Sequence, residues 1–137
     1  MGLILDSSIL IESERRGKGV EDILRTIRSA HGEIDVALSV VSVVELTHGV
    51  YRAKSDADRA RRRAFTEGVF HDLIVLPVTL EIAQLAGRIE GEQAAKGIAI
   101  DFEDLLIGAT ALYLGFDVAT SNVKHFQLIP ALNVVEL

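Results

Sequence analysis

Five short runs rich in apolar residues, separated by stretches with helical spacing, constrain this chain more than any other feature. The runs are "LILD" (3–6), "IDVALS" (34–39), "IVLPV" (74–78), "FDVATS" (116–121) and "NVVEL" (133–137). The first is continuously apolar with no helical gap and reads as a buried strand; the others read as strands in turn. Between them, 7–17 reads as a helix with a serine start and a glycine stop. Residues 20–30 carry apolar side chains at 20, 23, 24 and 27, which is helical spacing. Residues 42–53 form a third helix, with Ser42 as its cap and Val43, Leu46 and Val50 on one face. A charged helix over 57–73 follows, then one over 79–97 from a Thr79 cap to a Gly97 stop, and one over 101–115. Alternating strands and helices predict an α/β fold, a mostly parallel sheet of about five strands with helices on both faces. In such sheets ligands bind beyond the carboxyl ends of the strands. Asp6 ends the first strand and falls on that edge.

A chain of 137 residues is read as a single domain, 1–137, with a core that must be aliphatic because aromatics make up only 5 %. Cysteine is absent, which excludes disulfides and thiolate metal sites. The net charge of −6 argues against gripping nucleic acid by charge alone, so such a role must rest on local basic patches or bound metal ions. The longest uncharged apolar-rich run, 36–44, is far shorter than a membrane span, and the start "MGLILD" lacks the basic region of a secretion signal. A cytoplasmic protein without membrane contact is the default expectation.

Three acids break apolar contexts: Asp6 after "LIL", Glu45 in "VSVVELTHGV" and Asp104 in "DFEDLLIGATAL". A polar position, Asn122, follows the fourth strand. Each lies near a strand end or on a helix where a parallel sheet can bring them together. Convergent carboxylates repel, and burial adds to the penalty; a divalent cation removes both. Oxygen ligands without His or Cys suit Mg²⁺, or Mn²⁺, rather than zinc. Other roles compete. Asp6 can accept hydrogen bonds from the turn at Ser7 and Ser8, or cap the helix after it. Asp101 is most simply a helix cap, with Asp104 reaching back to it as in a capping box. Glu103 suits a solvated first turn. His48 reads as a packed or partly exposed histidine, and Asn122 as a turn residue.

Four blocks, "LILDSSILIE", "SVVELTHG", "DFEDLLIGATAL" and "VATSNVKHFQLIPALNV", together resemble the PIN-domain ribonucleases, most closely the VapC-type toxins of toxin–antitoxin pairs. They occur in the family's order and span nearly the whole chain. The resemblance implies a PIN-like three-layer fold and Mg²⁺-dependent hydrolysis of RNA phosphodiesters. It places Asp6, Glu45 and Asp104 as metal-binding, catalytic acids. Asn122 takes the position of a fourth ligand, where many relatives carry Asp. Ser8 and Thr120 match hydroxyls that support the acids or the substrate. The resemblance further implies a small cognate antitoxin whose tail blocks the site, and homodimer formation. Ile9 and Leu10 are candidates for docking that partner, with a core role as the alternative.

Candidate contacts to the RNA backbone are Arg15, Arg16, Lys18, the run Arg59, Arg61, Arg62 and Arg63, and Lys124 with His125. The arginine run reads slightly better as a solvated helix face. A housekeeping RNA-processing nuclease has the same chemistry without the antitoxin, and a PIN fold that only binds is a further alternative, raised by Asn122. A signalling receiver is a poor match: it needs an acid pair after the first strand and an Asp after the third, where this chain has Ser7, Ser8, Thr79 and Leu80.

Overall fold

A computed structural model describes residues 1–137. Its centre is a parallel sheet of five strands in the order β3-β2-β1-β4-β5. The strands are β1 (Gly2–Leu5), β2 (Asp35–Ser39), β3 (Ile74–Leu76), β4 (Asp117–Ala119) and β5 (Val134–Val135). Every pairing is parallel, so the sheet is wholly rather than mostly parallel. All five runs become strands, but three of them are shorter by two or more residues than the sequence suggests. β3 stops before Pro77, whose missing N–H cannot continue a ladder. β4 stops at Ala119 because Thr120 and Ser121 turn toward the site described below. β5 keeps only two residues.

β1 is apolar at every position because both of its faces are covered. Leu3 and Leu5 join Leu38 and Ala119 in one core, closed by α1 (Ser7–Arg15), α2 (Val20–His31), α3 (Val40–Tyr51) and α4 (Asp56–Asp72) through residues such as Leu10, Ile27, Leu46 and Val69. Ile4, with Ala37 and Val118, points the other way. It packs with α5 (Leu80–Ala94) and α6 (Phe102–Leu114) through Ile82, Ala86, Leu105 and Ile107. Period-two alternation along the strands therefore divides one sheet between two cores, giving three layers.

Helix boundaries follow their caps. Thr79 Oγ1 accepts from the Ile82 amide at 3.3 Å. Asp101 Oδ1 accepts from the amides of Glu103 at 3.1 Å and Asp104 at 3.3 Å, as its cap role predicts. Gly115 closes α6 in a left-handed conformation (φ 71°) that a side chain would resist. The third helix differs from expectation. Ser39, not Ser42, caps it by accepting from the Val41 amide at 3.1 Å, and Ser42 is buried inside the helix. Ser39 also ends β2, so strand passes to helix with no loop. A short helix that the residue spacing did not predict, α7 (Val123–Phe126), follows β4 and seals the second core with Phe126. Gly108 lets the segment after α7 approach α6: a Cβ there would stand 2.4 Å from Ile129 Cδ1. No helix is long and apolar enough to cross a membrane.

The chain runs outward from β1 through β2 to β3 on one side and continues through β4 to β5 on the other. The strand order thus reverses between β1 and β4. Doubly wound sheets open a crevice at such a point, beyond the carboxyl ends of the strands.

Candidate active site

Asp6 immediately follows β1 at this crevice, only 4 % exposed. Its backbone amide donates to Ala119 O at 2.9 Å, which ties it to the neighbouring strand. Its carboxylate does not cap α1, although Asp6 stands at the cap position. Instead, Oδ2 accepts from Ser8 Oγ and Thr120 Oγ1, both at 2.8 Å. Two hydroxyls, one from the first turn of α1 and one from the end of β4, therefore solvate a carboxylate that water scarcely reaches. Thr120 Oγ1 in turn accepts from the Asn122 amide at 2.9 Å, and Ser8 Oγ accepts from the Ser121 amide at 3.2 Å. The turn after β4 is thereby folded onto Asp6.

Glu45 enters from the middle of α3, half-buried, and Ser7 Oγ donates to its Oε2. Ser7 is itself buried, so α1 fixes Asp6 through Ser8 and Glu45 through Ser7. Asp104 comes from the first turn of α6. Burial, followed by repulsion from Asp101 and Asp6, raises its pKa to about 6 from 3.8; His125 opposes this rise and Glu103 adds to it. The His125 ring stands close by, with Nδ1 3.7 Å from Asp104 Oδ2. Burial also raises Glu103, with repulsion from Glu45, Asp101 and Asp6 acting in the same direction. These mutual repulsions mark a shared region of negative potential.

All four positions singled out from the sequence, Asp6, Glu45, Asp104 and Asn122, line one cleft of about 440 Å³. Ser8 lines it as well, while Thr120 lies buried behind Asp6. Lys124 is exposed on α7 and is not part of the cleft wall; its neighbour His125 is. Sequence reasoning missed Ser7 and Glu12, and treated Asp101 and Glu103 as cap and solvated residues only. Asp101 does cap α6 and Glu103 is exposed, yet both also face the cleft. Helical spacing from Ser8 to Ile11, Glu12 and Arg15 was the available signal for Glu12. The expected docking pair separates: Leu10 is a core residue, fully buried, and Ile9 is partly buried beside a hollow between α1 and α2.

The donors around the cleft are oxygen atoms from carboxylates, hydroxyls and one amide, with a single imidazole. That set suits a hard divalent cation rather than zinc. No three acidic or imidazole side chains are already gathered into a finished metal-binding cluster.

Fold and cleft together describe a parallel α/β protein with clustered acids at its topological switch point. A family model described as PIN domain matches residues 3–131. The chain is 35 % identical over 135 residues to Ribonuclease VapC1 of Rickettsia felis, covering 98 % of this chain and 96 % of the relative. It therefore belongs to the PIN-domain family, within the group of VapC ribonucleases. Among solved structures, the fold is similar to VapBC2 from Rickettsia felis bound to a promoter DNA fragment (TM-score 0.85, 21 % identity, 100 % of this chain and 99 % of that one). It is also similar to VapBC-5 of Mycobacterium tuberculosis, a member of the VapBC family of toxin–antitoxin systems (TM-score 0.72, 27 % identity, 100 % and 98 % covered).

Proposed function

We infer that this chain is the toxic component of a toxin–antitoxin pair, an endoribonuclease that hydrolyses RNA phosphodiester bonds with Mg²⁺ and is neutralised by a cognate antitoxin. One observation carries the reading: Asp6, Glu45, Asp104 and Asn122, far apart in sequence, line a single cleft in a member of the VapC ribonuclease group. The VapBC neighbour is named as a toxin–antitoxin system, which supports the partner. Homodimer formation belongs to the same proposal, and exposed apolar side chains such as Val44, Leu80 and Phe102 offer surface for it.

Asp6 and Asp104 would hold the cation through their carboxylates. Glu45 would hold it too, or orient the attacking water. Asn122 would contribute an amide carbonyl oxygen where an acid would add another charge. The ion, when bound, would supply positive charge beside the phosphate and lower the pKa of water. The rest falls to the protein. Ser8 and Thr120 hold the Asp6 carboxylate correctly turned by donating to the same oxygen. Ser7 does the same for Glu45. Asp104 must lose its proton to serve, and His125 favours the ionised form.

Purified protein incubated with total RNA tests this directly. Cleavage is expected with Mg²⁺ and absent with chelator, and Asp6→Ala or Asp104→Ala should abolish it while circular dichroism stays native. Parental cleavage by either variant would overturn the site assignment.

A further inference from the structure

We propose that Arg15 anchors a backbone phosphate of the substrate RNA at the rim of the acidic cleft, an inference that rests on the nuclease reading above. Helix geometry sets its position. Ser8, Ile11, Glu12 and Arg15 follow one another at three- and four-residue intervals along α1, and all four line the cleft. The stripe begins at the residue that holds Asp6 and ends at a guanidinium.

Charge gives that position its meaning. The cleft wall carries six carboxylates, and Arg15 is its one permanently charged cation, with His125 the other basic side chain. A phosphate approaching this wall meets repulsion that a metal ion offsets only next to itself. A second positive group must hold the strand where the ion does not reach. Arginine suits that task because its planar fork meets phosphate oxygens in pairs.

The other arginines of the neighbouring face are already engaged. Arg59 pairs with Asp56 at 3.2 Å. Arg61 pairs with Asp58 at 2.8 Å and approaches Glu14 at 3.5 Å. Arg62 donates to Gly49 O at 2.8 Å. Arg15 has no ion pair and no side-chain hydrogen bond, although Glu12 and Glu45 line the same cleft. It also borders an adjoining hollow of about 120 Å³ between α1, α3 and α4. Arg15 thus borders both depressions with its guanidinium unpaired, free for an external anion. Arg16, also a candidate RNA contact by sequence, does not line the cleft; it faces the hollow between α1 and α2 instead and so provides a control of equal charge.

The test compares the parent chain with Arg15→Gln, Arg15→Lys and Arg16→Gln, cutting a fluorescent single-stranded RNA oligonucleotide at saturating Mg²⁺. Salt-dependent binding of the same oligonucleotide is measured in an Asp6→Asn background. Arg15→Gln should raise KM about tenfold and flatten the slope of log affinity against log salt by about 0.7, one phosphate contact on a single strand. Arg15→Lys should recover part of the loss, and Arg16→Gln should match the parent. Parental KM and salt slope in Arg15→Gln would overturn the proposal. So would a changed Mg²⁺ requirement at parental KM, which would make Arg15 a charge balance for the carboxylates. Arg15→Gln that cuts normally but no longer binds an antitoxin would assign the residue to the protein partner instead. Failure of the parent to cut RNA overturns the nuclease reading and this inference with it, whereas a parent that cuts leaves only the role of Arg15 at stake.

Discussion

The Thr120 hydroxyl donates a 2.8 Å hydrogen bond to Asp6 Oδ2, joining the ends of β4 and β1 across 114 residues of chain. Both residues are buried, so water cannot replace the bond. Thr120→Val keeps the shape and removes the donor. It should cost roughly 1–3 kcal/mol of stability, the penalty of an under-satisfied buried acceptor, and lower RNA cleavage about tenfold. Urea denaturation and initial cleavage rates measure the two effects. Unchanged values in both would mean that Ser8 alone suffices to hold Asp6.

Ser7 and Glu45 form the second such tie, between α1 and α3. Glu45 is half-buried and can recruit water once the donor is gone. Ser7→Ala should therefore cost only about 1 kcal/mol in stability. The clearer effect should be a several-fold rise in the Mg²⁺ concentration giving half-maximal cleavage, restored in part by Ser7→Thr. A Mg²⁺ titration that superimposes on the parent's would remove Ser7 from the site.

Asp104 gives the cleft a defined pH response. Its pKa lies near 3.8 unfolded and is raised to about 6 when folded, chiefly by burial. Below the unfolded value the group is protonated in both states and has no effect. As pH rises toward 6 the folded state holds a proton that the unfolded state has released, and above 6 the penalty against folding is complete. Metal-free protein should therefore gain stability from this group as pH falls from 7 toward 4. At limiting Mg²⁺, cleavage should fall below about pH 6, where the proton competes for the carboxylate. Asp104→Asn should abolish cleavage yet melt above the parent at pH 7.5 without metal. A lower melting temperature there would show that burial and repulsion do not strain Asp104.

Asn122 is exposed at the cleft wall, its backbone N–H donating to Thr120 Oγ1 while no hydrogen bond engages its side-chain amide. Asn122→Asp adds a carboxylate to the cleft wall. The Mg²⁺ needed for half-maximal cleavage should fall several-fold, and the acid limb of the pH profile should move upward because the new charge opposes ionisation of Asp104. Asn122→Ala should reduce cleavage less than Asp104→Ala does. Complete loss in Asn122→Ala would make the amide oxygen a direct ligand.

Much of this site was legible in the linear chain because apolar context exposes an acid. Asp6 after "LIL" and Glu45 among valines stand out, since an unpaired carboxylate in such surroundings is costly. Glu103 and Glu12 gave no such signal: acids in a polar helical turn are ordinary, and only the cleft shows where they face. Ser42 was the cap expected from the sequence. The choice fell to Ser39 because β2 ends there, and burial placed Ser42 within the helix. The arginine run of α4, read from the sequence as a solvated helix face, is mostly engaged in pairing within the fold.

Periodicity alone determined the layer architecture. Continuous apolar strands need cover on both faces, and amphipathic helices provide it whatever their order in space. Strand order is a different matter. Nothing in the spacing of residues says that β4 returns beside β1, because pairing partners are chosen by packing between distant segments. That choice brought Thr120, Asn122 and His125 to Asp6, set Asp104 within reach of its repulsion, and left Arg15 facing the acids unpaired.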